Sequence, residues 1–304
     1  MLWFLTSVAS YFFSALVAII DKYLLTGPLP HPRIYAFFIG ILGAFVLFLI
    51  PFSFFIPDIF IIPDTGEIIL SLFAGALFIY ALYWFFKGLH QFEASRIVPA
   101  IGALTPLFVF SFTFLKEEEI FGPQAKLAFT FLILGTVIFS LKKEKGINFN
   151  SLKISIIAAF LFALHFFLAK IIYLNQPFVS GFIWLRMGGA ILAVLFLFSK
   201  QTRELLSFKK IKKPQKILGL FLLGQSLGVF SAVLQNLAVA LVSTTFLAFV
   251  MALEGTKYIF VLIIAFFLSF KFPKILKEEF SKELIFQKSF ATLLVCVGIT
   301  LLFI

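Results

Sequence analysis

Residues 178–198 read FVSGFIWLRMGGAILAVLFLF, a run with one charged position, Arg186. As a helix rising about 1.5 Å per residue, the run covers about 30 Å, the thickness of bilayer hydrocarbon. Similar runs recur along the 304-residue chain, which is 62% hydrophobic, contains 47 phenylalanines and is only 13% charged. A backbone immersed in lipid must satisfy its own hydrogen bonds, and a helix does so within each segment. The expected fold is therefore all-α and polytopic, with no soluble domain left over. The first run begins at Leu2 without a basic flank or a clear small-residue cleavage site before Asp21, so it is expected to remain as a helix rather than leave as a signal peptide. The lone Cys296 excludes an internal disulfide, and His31, His90 and His165 lack metal-ligand spacing, so no metal or cofactor is expected.

Charge clusters and Pro/Gly turns divide the chain into ten expected transmembrane helices near 2–22, 34–55, 67–87, 94–115, 123–141, 152–173, 178–198, 215–240, 243–269 and 284–303. The proline-rich turn at 27–32, the Lys116–Glu119 charge block and the polybasic stretch from Lys200 to Lys216 each end a helix for a different reason. Loops after odd-numbered helices hold 20 of the 25 lysines and arginines. The positive-inside rule places those loops in the cytoplasm and both termini outside, as in a multi-pass protein of a prokaryotic inner membrane. The net charge of +11 is thus read as topology, and nucleic acid is not expected as a partner.

A shift of about 148 residues superposes Lys22 on Lys170, Gly40 on Gly188, and Ala94-Ser95 on Val242-Ser243. In the fifth helix of each half, Gln124 precedes Gly135 by the spacing at which Gln287 precedes Gly298. Two repeats are expected, at 1–145 and 150–304. With five helices each, the second copy enters the membrane from the opposite side, so the repeats are inverted, an arrangement that favours alternating access around a site near the midplane.

Ala94-Ser95, then Leu104-Thr105-Pro106, then the block at Lys116–Glu119, set in a ten-helix, two-repeat plan, resemble the EamA-type drug/metabolite transporters. The stretch from Phe272 to Glu279 followed by Gln287-Lys288 looks like the end of an uncharacterised prokaryotic branch of that superfamily. The resemblance implies transport, by export or exchange of amino acids, drugs, nucleotide sugars or other metabolites, without naming the cargo. Glu254 departs from it, standing where the first repeat has Pro106 and the family favours an uncharged residue.

Glu254 and Lys257, followed by Tyr258, put a carboxylate and an ammonium three residues apart inside the ninth helix. A central charge costs about 2.5–3.5 kcal/mol on insertion scales, so the two are expected to face each other or a wet cavity. They are candidates for proton coupling or solute binding, against the plainer reading of a structural ion pair. Tyr80, Tyr83, Trp84 and Lys87 form an aromatic stripe with a basic end, which suits a cavity wall or an interfacial belt. Gln225, Gln235 and Asn236 suit solute binding or helix-to-helix bonding. Ser7, Ser10, Tyr11 and Ser14 on the first helix suit a packing face or, as the second reading, a polar cavity wall with Tyr11 as a site candidate. His165 and Arg186 are isolated polar groups that need a hydrogen-bond partner, water or, for Arg186 above all, the solute.

No Gly-x-x-x-x-Gly-Lys-Ser/Thr loop is present, so ATP-driven pumping by this chain alone is not expected. No convergent nucleophile, base or paired-carboxylate constellation suggests an enzyme. The expected function is secondary transport of a small polar metabolite, amino-acid-like or sugar/nucleotide-like, by a monomer or homodimer in contact with membrane lipids. The alternatives are a flippase for a lipid-linked sugar, a non-transporting scaffold or an intramembrane enzyme.

Overall fold

The structure, a computed structural model, describes residues 1–25, 32–55, 59–92, 94–116, 122–140, 149–200, 202–203, 215–271 and 282–303. The turn at 27–31, the acidic positions 117–119, most of the polybasic stretch and the motif at 272–279 lie outside these residues. The elements are α1 (Leu2–Leu25), α2 (Pro32–Gly43) running into a 3-10 segment (Ala44–Phe54), α3 (Thr65–Gln91), α4 (Ala94–Lys116), α5 (Pro123–Ser140), α6 (Phe149–Asn175), α7 (Phe178–Phe196), α8 (Gln215–Leu241), α9 (Leu247–Ala252), α10 (Glu254–Lys271) and α11 (Lys282–Phe303). Among the described residues there is no strand.

The protein is an all-α bundle whose composition suits a membrane. Eight stretches among the described residues are long and apolar enough to cross one, while 100–115 in α4 and 123–138 in α5 are shorter apolar runs. Large side chains such as Phe73, Phe267, Phe290 and Leu293 face outward, as lipid contact allows. Because lipid is as apolar as leucine, helices associate through close approach and hydrogen bonds. Glycines provide that approach: a Cβ on Gly75 of α3 would lie 1.8 Å from the Leu185 carbonyl oxygen of α7, and one on Gly188 of α7 would lie 2.0 Å from the Leu72 carbonyl oxygen of α3. The Ser10 and Ser14 hydroxyls of α1 meet the Ser231 hydroxyl of α8 at 3.3 and 2.7 Å, and Gly224 of α8 receives Ile20 of α1.

Helices from the two halves of the chain interleave: α1 lies along α8 and against α10, α3 along α6 and α7, α4 against α6, α2 on α7, and α5 on α11. The α5–α11 seam is reciprocal. The Gln124 amide of α5 donates to the Leu301 carbonyl at 3.2 Å, and the Gln287 amide of α11 donates to the Ile138 carbonyl at 2.6 Å. One offset along the chain relates both members of these pairs. The same offset relates the glycines: a Cβ on Gly135 would lie 3.1 Å from the Ala291 oxygen, and one on Gly298 would lie 3.0 Å from the Ala128 oxygen.

Two helices differ from the sequence expectation. The run expected as one helix over 34–55 becomes 3-10 from Ala44 onward; within it Pro51 rules out regular α-helix over 47–51, because its ring crowds the carbonyl four residues back and it has no N–H to donate. The run expected as one helix over 243–269 is split at Leu253 into α9 and α10. In a continuous helix the Val250 carbonyl would accept from residue 254. Here it accepts from the Tyr11 hydroxyl of α1 at 2.8 Å, and a hydroxyl entering the i→i−4 ladder is a recognised cause of a break. The Thr256 backbone N–H and hydroxyl both turn back to the Leu253 carbonyl, at 2.9 and 2.7 Å, which tightens the turn.

Candidate substrate and coupling site

The break puts Glu254 at the first position of α10, inside the bundle. Lys257 lies one turn on, with its Nζ 3.6 Å from Glu254 Oε1. At that distance the pair is ionic without a tight hydrogen bond, and both side chains are mostly covered, at 17% and 22% exposure. Its other face is bounded by α4, where a Cβ on Gly102 would stand 3.2 Å from Glu254 Oε2 and 3.0 Å from Tyr258 Oη. The absence of a side chain at Gly102 is what lets these two polar ends lie against α4. Tyr11, only 3% exposed, lies close to Glu254, and Gln235 of α8 approaches the same hydroxyl. Tyr258 in turn neighbours both Glu254 and Tyr11. Five residues expected from sequence, Tyr11, Gln235, Glu254, Lys257 and Tyr258, thus converge from α1, α8 and α10.

A second centre forms around Arg186 of α7. Its guanidinium lies over the rings of Phe78 (α3) at 5.4 Å and Phe182 (α7) at 4.8 Å. Arg186 is half-buried, and cation–ring contacts of about 0.5–2 kcal/mol each offset part of the cost of placing its charge there but leave the N–H donors unserved. Among the described residues no carboxylate pairs with Arg186 and no hydrogen bond reaches it. His165 and Tyr173 of α6 are its neighbours. The His165 ring is fixed by a 2.8 Å hydrogen bond between Nδ1 and the Ala74 carbonyl, and the Tyr173 hydroxyl donates to Asn236 Oδ1 at 2.8 Å. Arg186, His165 and Asn236 line one small cavity with Gly40, Gly43, Gly75 and Gly189, with room for about one water. Adjacent positions on α8, Gln235 and Asn236, therefore serve different centres, because successive helical residues point about 100° apart.

The remaining expected residues fall elsewhere. Tyr80 and Tyr83 stack at 6.1 Å and Trp84 meets both edge-on at 6.4 and 6.0 Å, Lys87 lies 4.3 Å over the Trp84 ring, and Arg33 lies over Tyr83. This group lies apart from both centres, and the buried Trp84 indole N–H finds no hydrogen-bond partner among the described residues. Gln225 approaches Tyr35, whose hydroxyl donates to the Asp21 carboxylate, and Asp21 faces Lys257. A polar thread thus continues from the Glu254 pair toward the ends of α1 and α2.

Asp21, Tyr35, Gly102, Tyr173 and the ring pair Phe78 and Phe182 were not singled out by sequence reasoning. Asp21 could have been, as a rare acid at the end of an apolar run. Gly102 and the phenylalanines carry no local signal. Lys170, noted in sequence only for its place in the repeat, is buried and donates to the carbonyls of Ala240, at 3.1 Å, and Val242, which caps the end of α8.

No protein-family model matches the chain, and no curated protein matches it. Sixteen chains of solved structures do match. One, described only as the crystal structure of a protein, is 14% identical with a TM-score of 0.64, the match covering 98% of this chain and 95% of the other. At that identity the likeness speaks to fold alone.

Proposed function

We propose that this protein is a secondary carrier that moves a small polar metabolite across a prokaryotic inner membrane, as the resemblance to EamA-type drug/metabolite transporters implies. The observation that carries this reading is the broken helix at Leu253. It sets a mostly covered carboxylate and ammonium among Tyr11, Gln235 and Tyr258, inside a predominantly apolar bundle. Helix breaks at membrane depth belong where backbone lines a cavity, and they recur at solute and ion sites of transporters. A pair needed only for packing would be replaceable by apolar residues at no cost, and often at a gain in stability.

In this reading α4 and α5 are spans as well, which gives ten, and the halves 1–145 and 150–304 are inverted repeats. The reciprocal α5–α11 seam and the interleaving of the halves support that symmetry. Glu254 alternates between Lys257 and a proton or a cationic group of the solute. Lys257 holds the carboxylate while the site is empty, and Asp21 offers Lys257 a second partner when Glu254 is otherwise engaged. Ion coupling or exchange supplies the driving force.

The test is uptake by proteoliposomes of pooled amino acids, nucleosides and phosphorylated sugars under an imposed pH gradient, with native protein and Glu254→Gln. Native uptake of one pool, reduced at least tenfold in the variant or stripped of its pH dependence, is expected. Uptake with unaltered pH dependence in Glu254→Gln would remove Glu254 from the coupling path. Folded native protein that takes up no pool would overturn the carrier reading.

A further inference from the structure

We propose that Arg186 is the centre of an oxyanion-binding subsite that receives the carboxylate or phosphate group of the transported solute; the word transported rests on the carrier reading, the site itself does not. The two centres differ in charge balance. Glu254 and Lys257 neutralise each other at 3.6 Å. Arg186 has no such counterpart: among the described residues neither an acid nor a hydrogen-bond acceptor engages it, and its contacts are the two rings at 4.8 and 5.4 Å. A ring face attracts the cation without accepting the in-plane donors, so the guanidinium fork is held in position and left open. That fork matches the two oxygens of a carboxylate or phosphate and stays charged at any physiological pH.

The groups around it are spent or permissive. Asn236 gives its oxygen to Tyr173 and one amide hydrogen to the Ala232 carbonyl at 2.8 Å, which leaves a second amide hydrogen for an anion. His165 is tied to Ala74. Among the described residues no acid lines the cavity, and Gly40, Gly43 and Gly189 bring no side chains to its walls. Neutral solutes and water would satisfy single donors, whereas an oxyanion satisfies the fork and the net charge together. In the present conformation the space is about that of one water, so the head group enters when the walls of the cavity move apart.

The experiment measures the thermal unfolding midpoint of the full chain in nanodiscs of neutral lipid, titrated with sodium acetate or sodium phosphate against sodium chloride at matched ionic strength. The native midpoint is expected to rise saturably with at least one of the two anions. Arg186→Gln, folded at least as stably as native without anion, is expected to show no rise, and Arg186→Lys, which keeps charge but loses the fork, is expected to bind at least tenfold more weakly. No saturable rise in native protein would overturn the proposal, as would an Arg186→Gln response equal to native. Failure of Arg186→Gln to fold without anion would also overturn it, by showing that Arg186 holds the fold itself.

Nanodiscs containing phosphatidylglycerol separate the sources. A native shift on phosphatidylglycerol without free anion, lost in Arg186→Gln, supports the oxyanion site while assigning a lipid headgroup to it. Uptake of an oxyanion solute at an unchanged rate by Arg186→Gln would sink the subsite and leave the carrier reading standing. Saturable anion binding with no uptake of any solute would do the reverse.

Discussion

Gly102 shows how one missing side chain can shape a site. Its would-be Cβ sits 3.0 Å from Tyr258 Oη and 3.2 Å from Glu254 Oε2. Both neighbours are ends of flexible side chains, so a methyl group can be admitted if they yield by a few tenths of an ångström. Gly102→Ala is therefore expected to change unfolding stability by less than about 1 kcal/mol, with helix propensity partly offsetting the crowding. Uptake should nevertheless fall several-fold, because the carboxylate is pushed off its position, and paired unfolding and transport assays on one preparation check this. A variant with native transport would show that the Glu254 carboxylate does not depend on this surface. Sequence alone identified the charge pair, since a carboxylate and an ammonium inside an apolar run demand an account. It could not identify the glycine across from them, because that glycine matters only through what α10 brings to it.

At the scale of elements, the seam between α3 and α7 has the closest glycine contacts among the described residues. Gly75 and Gly188 each face a carbonyl of the other helix at a distance that no Cβ could share, 1.8 and 2.0 Å. Backbone cannot yield as a side chain can, so Gly75→Ala or Gly188→Ala must part the helices. Each is expected to cost about 3 kcal/mol or more, read as a lower unfolding midpoint and poor recovery of folded protein. Gly219→Ala on α8, where a Cβ meets nothing within 4 Å, is the control and should match native or gain up to about 1 kcal/mol from helix propensity. The split of α9 from α10 belongs to the same scale. Residues 243–269 read as one apolar helix, and the hydroxyl that competes for the Val250 carbonyl comes from Tyr11, more than two hundred residues away in the chain. No local propensity records such a competitor.

Across the whole molecule, the reciprocal glutamine bonds of α5 and α11 imply matched roles for two residues far apart in sequence. Gln124→Leu and Gln287→Leu should each cost about 0.6–1.7 kcal/mol, the range of interhelical hydrogen bonds in membranes, and their effects should add, because the two bonds use different carbonyls. Unfolding of the single and double variants checks this; a cost confined to one of the pair would argue against the symmetry. The proposed orientation makes a separate statement. With both termini outside, a reporter fused after Ile304 that works only in the cytoplasm should stay dark, and one that works only outside it should be active.

The sequence by itself determined that the chain is helical and built for a membrane, because runs of about twenty apolar residues leave the backbone no other way to satisfy its hydrogen bonds. It also marked Glu254, Lys257 and Arg186, since charges inside such runs are costly wherever the rest of the chain goes. Tertiary structure decided which of these charges are neutralised. Lys257 stands one helical turn from Glu254, a distance the sequence already implies, whereas Arg186 meets the Phe78 and Phe182 rings and no acid among the described residues. Electrostatic partnership depends on separations of a few ångströms between helices, and those separations are set by glycine seams and a tyrosine hydroxyl that act only once the bundle has formed.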